Sequence, residues 1–485
     1  MKKRSAFMLV MLMLVVSACS TKNTEAPSET PQGSGDEPVT LTIAHKGILS
    51  ADDPLLKAIE EGMKEEGKNV KLKFAQVQSG SYPEKLGLLL QSGEIPDLIY
   101  FQGGDYQFAI TQKILEDLTP YIEKSTYVKA AMNPYNVERT KNYPYLVWAS
   151  PTSNVIPAVR QDWLDKTASG KALLEKPTID NYYQFLKEVK ESNGAQFALT
   201  TAGNLDELDA IFGQAFGLRS TWIKGEDGQY VYSKTTAAEK EKLEFYAKLY
   251  KEGLLDPEFL TKKWDTKEKA FYDGIAAIVA ANQGGSINLI NQKMIAQNGA
   301  GSEITPLPPA SGAAQGYTPV DASKESRGFA IAATSKHKDM AFAVLEYMTS
   351  PKGQVLDKLG IEGEQYVVEN EKIKLTDKHA EWLPRFVESM ENFKPPYEID
   401  AATPYMSKPA LDSLEMMASM STKDNSFLIP DELAAKWDAS LALYKEFAAD
   451  MVTGKKTSAD FDKFVQDWNA AGGKDLTEYA NETIK

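Results

Sequence analysis

The sequence predicts an α/β fold built on a parallel sheet, and three observations predict it. Strand-type apolar runs recur at Val39 to Ala44, Val70 to Phe74 and Pro96 to Phe101. Segments with apolar residues at helical spacing separate them. The whole strand, helix, strand, helix, strand series fits between Val39 and Phe101, as parallel crossover units require. In order, Val39 to Ala44 alternates with period two, as does Val70-Leu72-Phe74. Between them Pro54 to Glu66 carries Leu55, Leu56, Ile59 and Met63 on one helical face. Tyr82 to Gln91 is a second helix, with Leu86, Leu89 and Leu90 on one side and Gly93 beyond its end. Ligands of open parallel sheets meet the loops at the carboxyl ends of strands. Those loops here are His45-Lys46-Gly47, Gln76 to Ser79 and Gln102 to Tyr106.

Further along, Ser153 to Val159 reads as a strand and Asp162-Trp163-Leu164 opens a helical section. Thr178 is the expected N-cap of a helix bearing Ile179, Tyr182, Tyr183, Leu186 and Val189. Leu199 to Thr201, Ala276 to Ala281 and Phe329 to Ala333 are further strands, the last followed by a helix from Asp339 to Met348. Ser350-Pro351 signals another helix start, and Gly360 its end. From there the chain reads as mostly helical.

The N-terminus carries a different signal. Lys2, Lys3 and Arg4 precede an apolar run from Ala6 to Val16, shorter than the about 20 residues of a membrane-spanning helix. The run ends Val16-Ser17-Ala18-Cys19, which resembles the bacterial lipobox, in which the Cys is acylated and becomes the new N-terminus. Residues 1–18 are thus expected to be a lipoprotein signal peptide and Cys19 the lipid attachment point. Two acyl chains hold a protein on a membrane stably where one does not. Residues 19–38, with Pro27, Pro31, Gly33, Gly35 and Pro38, bury too little apolar surface to fold and read as a tether.

Of 485 residues 42% are hydrophobic and 25% charged, with one Cys, three His and a formal charge of −14. Loss of Lys2, Lys3 and Arg4 would take that charge to −17. Such an acidic balance argues against nucleic acid, whose phosphates need a basic face. One Cys excludes an internal disulfide, and three dispersed His (His45, His337, His379) offer no usual structural zinc site. No GxxxxGK[ST], GxSxG or HExxH pattern occurs, so the chain shows no ATPase loop, nucleophile elbow or zinc-protease helix.

Several stretches, in order, resemble the family 1 extracellular solute-binding proteins, the lipoprotein sugar receptors of bacterial ABC importers. They are Glu84-Lys85-Leu86 with Gln91 to Ile99, Arg160 to Leu164, and Leu249 to Pro257. Later come Ser326 to Ile331, Ser335 to Lys338, Gly360 to Tyr366, and Gly454-Lys455 with Phe461 to Gly473. The nearest subgroup resembles the Gram-positive LplA-like lipoproteins, and the body resembles maltose-binding protein. The resemblance implies a two-lobe fold of periplasmic-binding-protein type II, with hinge-crossing segments and a helical C-terminal part. The lobes would be 39–148 plus 326–350 and 149–325 plus 351–485. It implies a monomer, lipid-anchored on the extracellular face of a Gram-positive cell membrane or on the periplasmic side in a Gram-negative cell, that delivers an oligosaccharide to a permease; no cofactor or metal is expected. Some relatives carry an EF-hand-like calcium loop, but Asp165 to Asp180 lacks the alternating carboxylates one needs.

A sugar offers apolar C–H faces and a rim of hydroxyls, matched by aromatic platforms and by planar amides, carboxylates and Arg. By position the resemblance marks Lys46, Phe101 as a platform, and Asp105. Asn282 and Gln283 stand where the family commonly has Trp, a departure that weighs against maltodextrins. Trp148 near the hinge and Trp222 in a loop expected from Gly217 to Gly228 are further platform candidates. Gln78, Gln102, Arg327 and Glu364 are polar additions. Arg327 could equally pair a carboxylate at the crossover, and Glu364 could equally be a turn residue. Trp163, Trp437 and Trp468 read as helix-face core. Two other functions stay open on sequence, a lipid-anchored glycoside-active enzyme and a receptor for a non-sugar solute such as a peptide.

Overall fold

The structure is a computed structural model describing residues 37–484, apart from 49, 76–81, 103–108, 110–111, 133–143, 148–154, 318–326, 383, 387–392, 423 and 428. Contacts divide the chain into residues 1–38 and residues 39–485, and the fold lies in the second unit. Its described strands begin with β1 (Val39–Ala44), β2 (Val70–Phe74), β3 (Leu98–Gln102), β4 (Val155–Arg160), β5 (Phe197–Thr200), β6 (Trp222–Lys224) and β7 (Tyr230–Tyr232). They continue with β8 (Ala276–Asn282), β9 (Ile304–Pro306), β10 (Arg327–Ile331), β11 (Tyr366–Glu369), β12 (Lys372–Leu375) and β13 (Glu398–Ile399).

The first sheet has the order β10-β3-β1-β2. β1 pairs in parallel with β2 and β3, as the crossover pattern predicts, and β10 adds antiparallel to β3 with Arg327 opposite Gln102. The crossover helix Pro54–Glu65 starts where Asp53 accepts the Leu55 N–H at 3.0 Å, with Pro at its first position. It buries Leu55, Leu56, Ile59 and Met63 on the sheet, each contributing about 1.5–3 kcal/mol. The second sheet has the order β5-β8-β4-β9, with β5 and β8 parallel and the other pairs antiparallel. Thr178 caps the helix Ile179–Asn193 as expected, accepting from the Asn181 N–H.

Two corrections concern the later chain. The part after Gly360 is not simply helical, because β11, β12 and β13 form a small third sheet. Asn370 and Glu371 both take positive φ (53° and 59°), the two-residue turn that joins β11 to β12. The stretch around Trp222 is not an open loop, because β6 and β7 form an antiparallel hairpin there.

The chain passes between the two large sheets three times. Val147 pairs with Phe329 of β10 on the first sheet, and Val155 then opens β4 on the second. Tyr317 is buried in the second lobe, donating to the Leu307 carbonyl at 2.9 Å, and Arg327 opens β10 on the first. Tyr405 packs with Leu359, Tyr366 and Ile373, whereas Met406 packs with Ile287 and Ile290. Leu356, Trp382 and Phe386 share the core of Leu41, Leu98 and Phe329. The described residues of 351–405, expected with the second lobe, thus pack with the first, and the helices from Lys408 onward pack with the second.

Candidate functional site

Strand polarity decides which candidate residues share an edge. β1, β2 and β3 end their parallel run at one side of the first sheet, and Arg327 begins antiparallel β10 at that same side. Lys46 follows β1, Gln102 ends β3 and Arg327 faces Gln102 in register, so three candidates meet at one edge. On the second sheet Asn282 ends β8 opposite Val155, and Gln283 follows, both half-buried. Val155 and Arg327 are also the first described residues after two of the crossings, so each candidate-bearing edge is a crossing edge. Gln78, Asp105 and Trp148 lie outside the described residues, as does Cys19, and Gln102 is described in its backbone alone.

The first edge is locked by a histidine. His45 sits directly after β1, 2% exposed, with its ring 4.5 Å from that of Tyr100 and stacked on Phe329 and Phe386 at 5.6 and 5.9 Å. The Gly47 N–H donates to Nδ1 at 2.9 Å, which leaves Nε2–H to donate to the Arg385 carbonyl at 2.8 Å. Burial, then the neighbouring Lys46 charge, pushes its pKa down to about 3, so the imidazole is neutral. The Arg385 guanidinium meets the helix-capping Asp53 at 3.2 Å, and Asp357 accepts the Arg385 and Phe386 N–H groups. Lys46 is thereby carried on a fixed turn, its ammonium 5.6 Å from the centre of the Tyr100 ring.

The second edge is built on an ion pair. The Lys267 ammonium, wholly buried, donates to Glu207 Oε1 and to the Ala280 carbonyl of β8, both at 2.6 Å. Glu207 also accepts the Ala202 N–H, just past β5, at 3.0 Å. Burial lowers the Lys267 pKa and raises that of Glu207, each opposed by attraction to the other. The same ammonium lies 4.0 Å from the centre of the Trp264 ring, which is 38% exposed. Asn282 and Gln283 lead into Gly284 (φ 66°), whose N–H donates to Ser413 Oγ at 2.9 Å.

Three candidates are corrected by their surroundings. Phe101 is 1% exposed and packs with Leu86, Leu90 and Leu146, so its ring is core and no platform. Trp222 is 2% exposed, stacked on Phe427 at 5.7 Å, with its backbone held by Asn425, and is core as well. Glu364 is exposed in a turn, its N–H donating to the Ile361 carbonyl and its own carbonyl accepting from Thr376, so it is a turn residue. Trp163, Trp437 and Trp468 are buried. His45, Arg385, Glu207, Lys267 and Trp264 were missed. The position of His45 directly after β1 was the available signal, whereas Arg385 and Trp264 reach their strand ends only through tertiary packing.

Among the described residues no cluster of three or more His, Cys, Asp or Glu could hold a metal ion. No described helix is long and apolar enough to cross a membrane. Two surface clefts of about 550 and 500 Å³ lie among the C-terminal helices, and neither is lined by any candidate residue.

The geometry agrees with the comparisons. The chain is 23% identical to lipoprotein LipO of Bacillus subtilis over 98% of this chain and 97% of that protein. It is 23% identical to the fructooligosaccharide ABC transporter substrate-binding protein FusA of Streptococcus pneumoniae over 54% of each chain. The solved structure of the Streptococcus pneumoniae N-glycan transport solute binding protein NgtS matches with a TM-score of 0.64 at 15% identity, over 92% of this chain and 97% of that one. FusA in complex with kestose matches with a TM-score of 0.61 at 15% identity, over 92% and 99%. These likenesses establish the shared two-lobe fold. Residues 49–355 match the model of the bacterial extracellular solute-binding proteins, and the chain belongs to that family.

Proposed function

We propose that this protein is the extracellular substrate-binding protein of an ABC importer, capturing an oligosaccharide between two lobes and handing it to a membrane permease. The observation that carries this is the coincidence of edges: Lys46 and Arg327 on one sheet, and Asn282 and Gln283 on the other, stand where the chain crosses between lobes. A ligand held there touches both lobes at once only when they close, so binding shifts the population toward the closed form. The permease then reads loaded from empty by shape. The proposed lobes comprise 39–147 with 327–405, and 155–317 with 406–484.

Planar amides and long cationic donors suit a ring of hydroxyls, which accept and donate in fixed directions. FusA and NgtS, with their fructooligosaccharide and N-glycan names, support the carbohydrate class. The protein performs no chemistry on the sugar and acts as a monomer. Cleavage before Cys19 and acylation of its sulfur tether it to the outer membrane face, a reading supported by the Lys2 to Cys19 pattern and by the likeness to LipO.

A thermal-shift panel of kestose, maltotriose, a mannosyl-N-acetylglucosamine disaccharide, an alginate trisaccharide and oligopeptides tests this. A bound glycan at 100 times its Kd adds about 2.7 kcal/mol. Stabilisation by peptides with none from any glycan refutes the sugar class. Glycan hydrolysis abolished by one carboxylate substitution moves the protein to the enzymes. Cys19→Ala should release it into the medium, and a variant still firmly membrane-bound refutes the anchor.

A further inference from the structure

Resting on the glycan-binding reading, we propose that Trp264 is the aromatic platform of the second lobe, on which a sugar ring lays its C–H face. Six of the seven tryptophans are described, and the other five are all buried, Trp382 and Trp437 at 7% and Trp163 at 8% being the least so. Trp264 alone among them keeps 38% of its surface in water. What singles it out is its place: a part-exposed indole packed against a held ammonium at the end of β8 can offer a ring face to a sugar.

The ring is fixed as well as exposed. The Lys267 ammonium sits 4.0 Å from its centre and cannot wander, because Glu207 and the Ala280 carbonyl both hold it at 2.6 Å. A cation desolvated against an indole face is a strong contact. Lys267 is a positioning residue: its held ammonium packs against a ring whose residue keeps 38% of its surface in water. The helix Trp264–Tyr272 is itself fixed at its start, where the Lys263 N–H donates to Thr266 Oγ1 at 3.1 Å.

Its place matches the ligand edge. Ala280 precedes Asn282 by two residues on β8, and Glu207 reaches the chain just past β5, so the carboxyl ends of both parallel strands meet beneath the ring. Trp264 lies one helical turn beyond Lys267 toward that edge, by about 4.5 Å at 1.5 Å per residue. A sugar stacked there brings its hydroxyl rim toward the Asn282 and Gln283 amides. An aromatic ring supplies area at low entropic cost, and amides supply direction.

The full-length protein and two variants are titrated calorimetrically with the same four glycans. Trp264→Ala should weaken whichever glycan the parent binds by at least about tenfold while still unfolding in one cooperative transition, and Trp264→Tyr should stay within about threefold. Saturating glycan should also reduce acrylamide quenching of the parent's fluorescence, and Trp264→Tyr should lose that protection. Binding by the parent with affinity unchanged in Trp264→Ala, or quenching protection retained in Trp264→Tyr, overturns the platform alone. A parent that binds none of the glycans overturns the carbohydrate reading and the platform with it.

Discussion

The two lobes solve the problem of a buried interior differently. Behind its ligand edge the first lobe packs aromatic rings around His45, held neutral, with the ion pair of Arg385 and Asp53 beside it. The second lobe buries a network of charges. Asp209 accepts from Lys242 at 2.5 Å and from Lys234, Glu239 meets Lys242 at 2.9 Å, and the Tyr246 and Tyr444 hydroxyls complete the set. Burial raises the Asp209 pKa, but the two ammoniums outweigh it and hold that carboxyl low. Two cations against two carboxylates leave this cluster neutral as a whole, which is what makes its burial tolerable. The difference means that acid and mutation should attack the lobes unequally.

The largest effect is expected at Lys242. Lys242→Met leaves the two buried carboxylates, Asp209 and Glu239, facing the single ammonium of Lys234 and should cost about 3–5 kcal/mol. Adding Asp209→Leu removes the orphaned charge and should recover more than half of that loss in a double-mutant cycle. Simple additivity in chemical denaturation would show that the cluster does not act as a unit.

Next comes Gly328, where the first two crossings meet. Its φ of +145° suits glycine, and a Cβ there would sit 2.8 Å from the Val147 carbonyl oxygen. Gly328→Ala should cost about 1–3 kcal/mol. It should also weaken glycan binding, because the Val147–Phe329 pairing beside it holds two crossing segments together where they meet the first sheet. Unchanged stability and affinity would remove this glycine from the hinge.

The smallest effect separates the lobes by pH. His45 keeps a depressed pKa in the folded state, so the unfolded chain takes the proton first. Its contribution is complete above pH 6.5, declines as pH falls, and stops declining near 3. One such group loses about 1.4 kcal/mol between neutrality and pH 5.5. His379, also lowered by burial, acts in the same direction. Carboxylates with lowered pKa such as Asp97 and Glu346 respond at lower pH, outside this window. His45→Gln should therefore flatten stability between pH 6.5 and 5.5, and an unaltered slope would contradict a neutral buried His45.

Much of the fold was legible. β1, β2 and the helix between them alternate apolar and polar residues at the period their structure needs, and Thr178 and Ser350 announce their helices. β11 and β12 escaped because each is only four residues long, β11 ending in Glu369 and β12 alternating with Lys372 and Lys374. At the site, position along the chain located the edges but not the side chains. Phe101 sits in a strand covered on both faces, so its place beside an edge gave no hint that it is core. Trp264 has the spacing of a core residue with Phe271, yet its turn projects past the strand end, and only the structure reveals the exposed ring.

Capture of an oligosaccharide between the lobes stands most directly on calorimetric titration of the parent protein with kestose, maltotriose, the mannosyl-N-acetylglucosamine disaccharide and the alginate trisaccharide. The predicted result is saturable one-to-one binding of at least one of them, with the sugar recovered intact. Silence toward all four alongside saturable binding of an oligopeptide, or recovery of cleaved sugar, would contradict it.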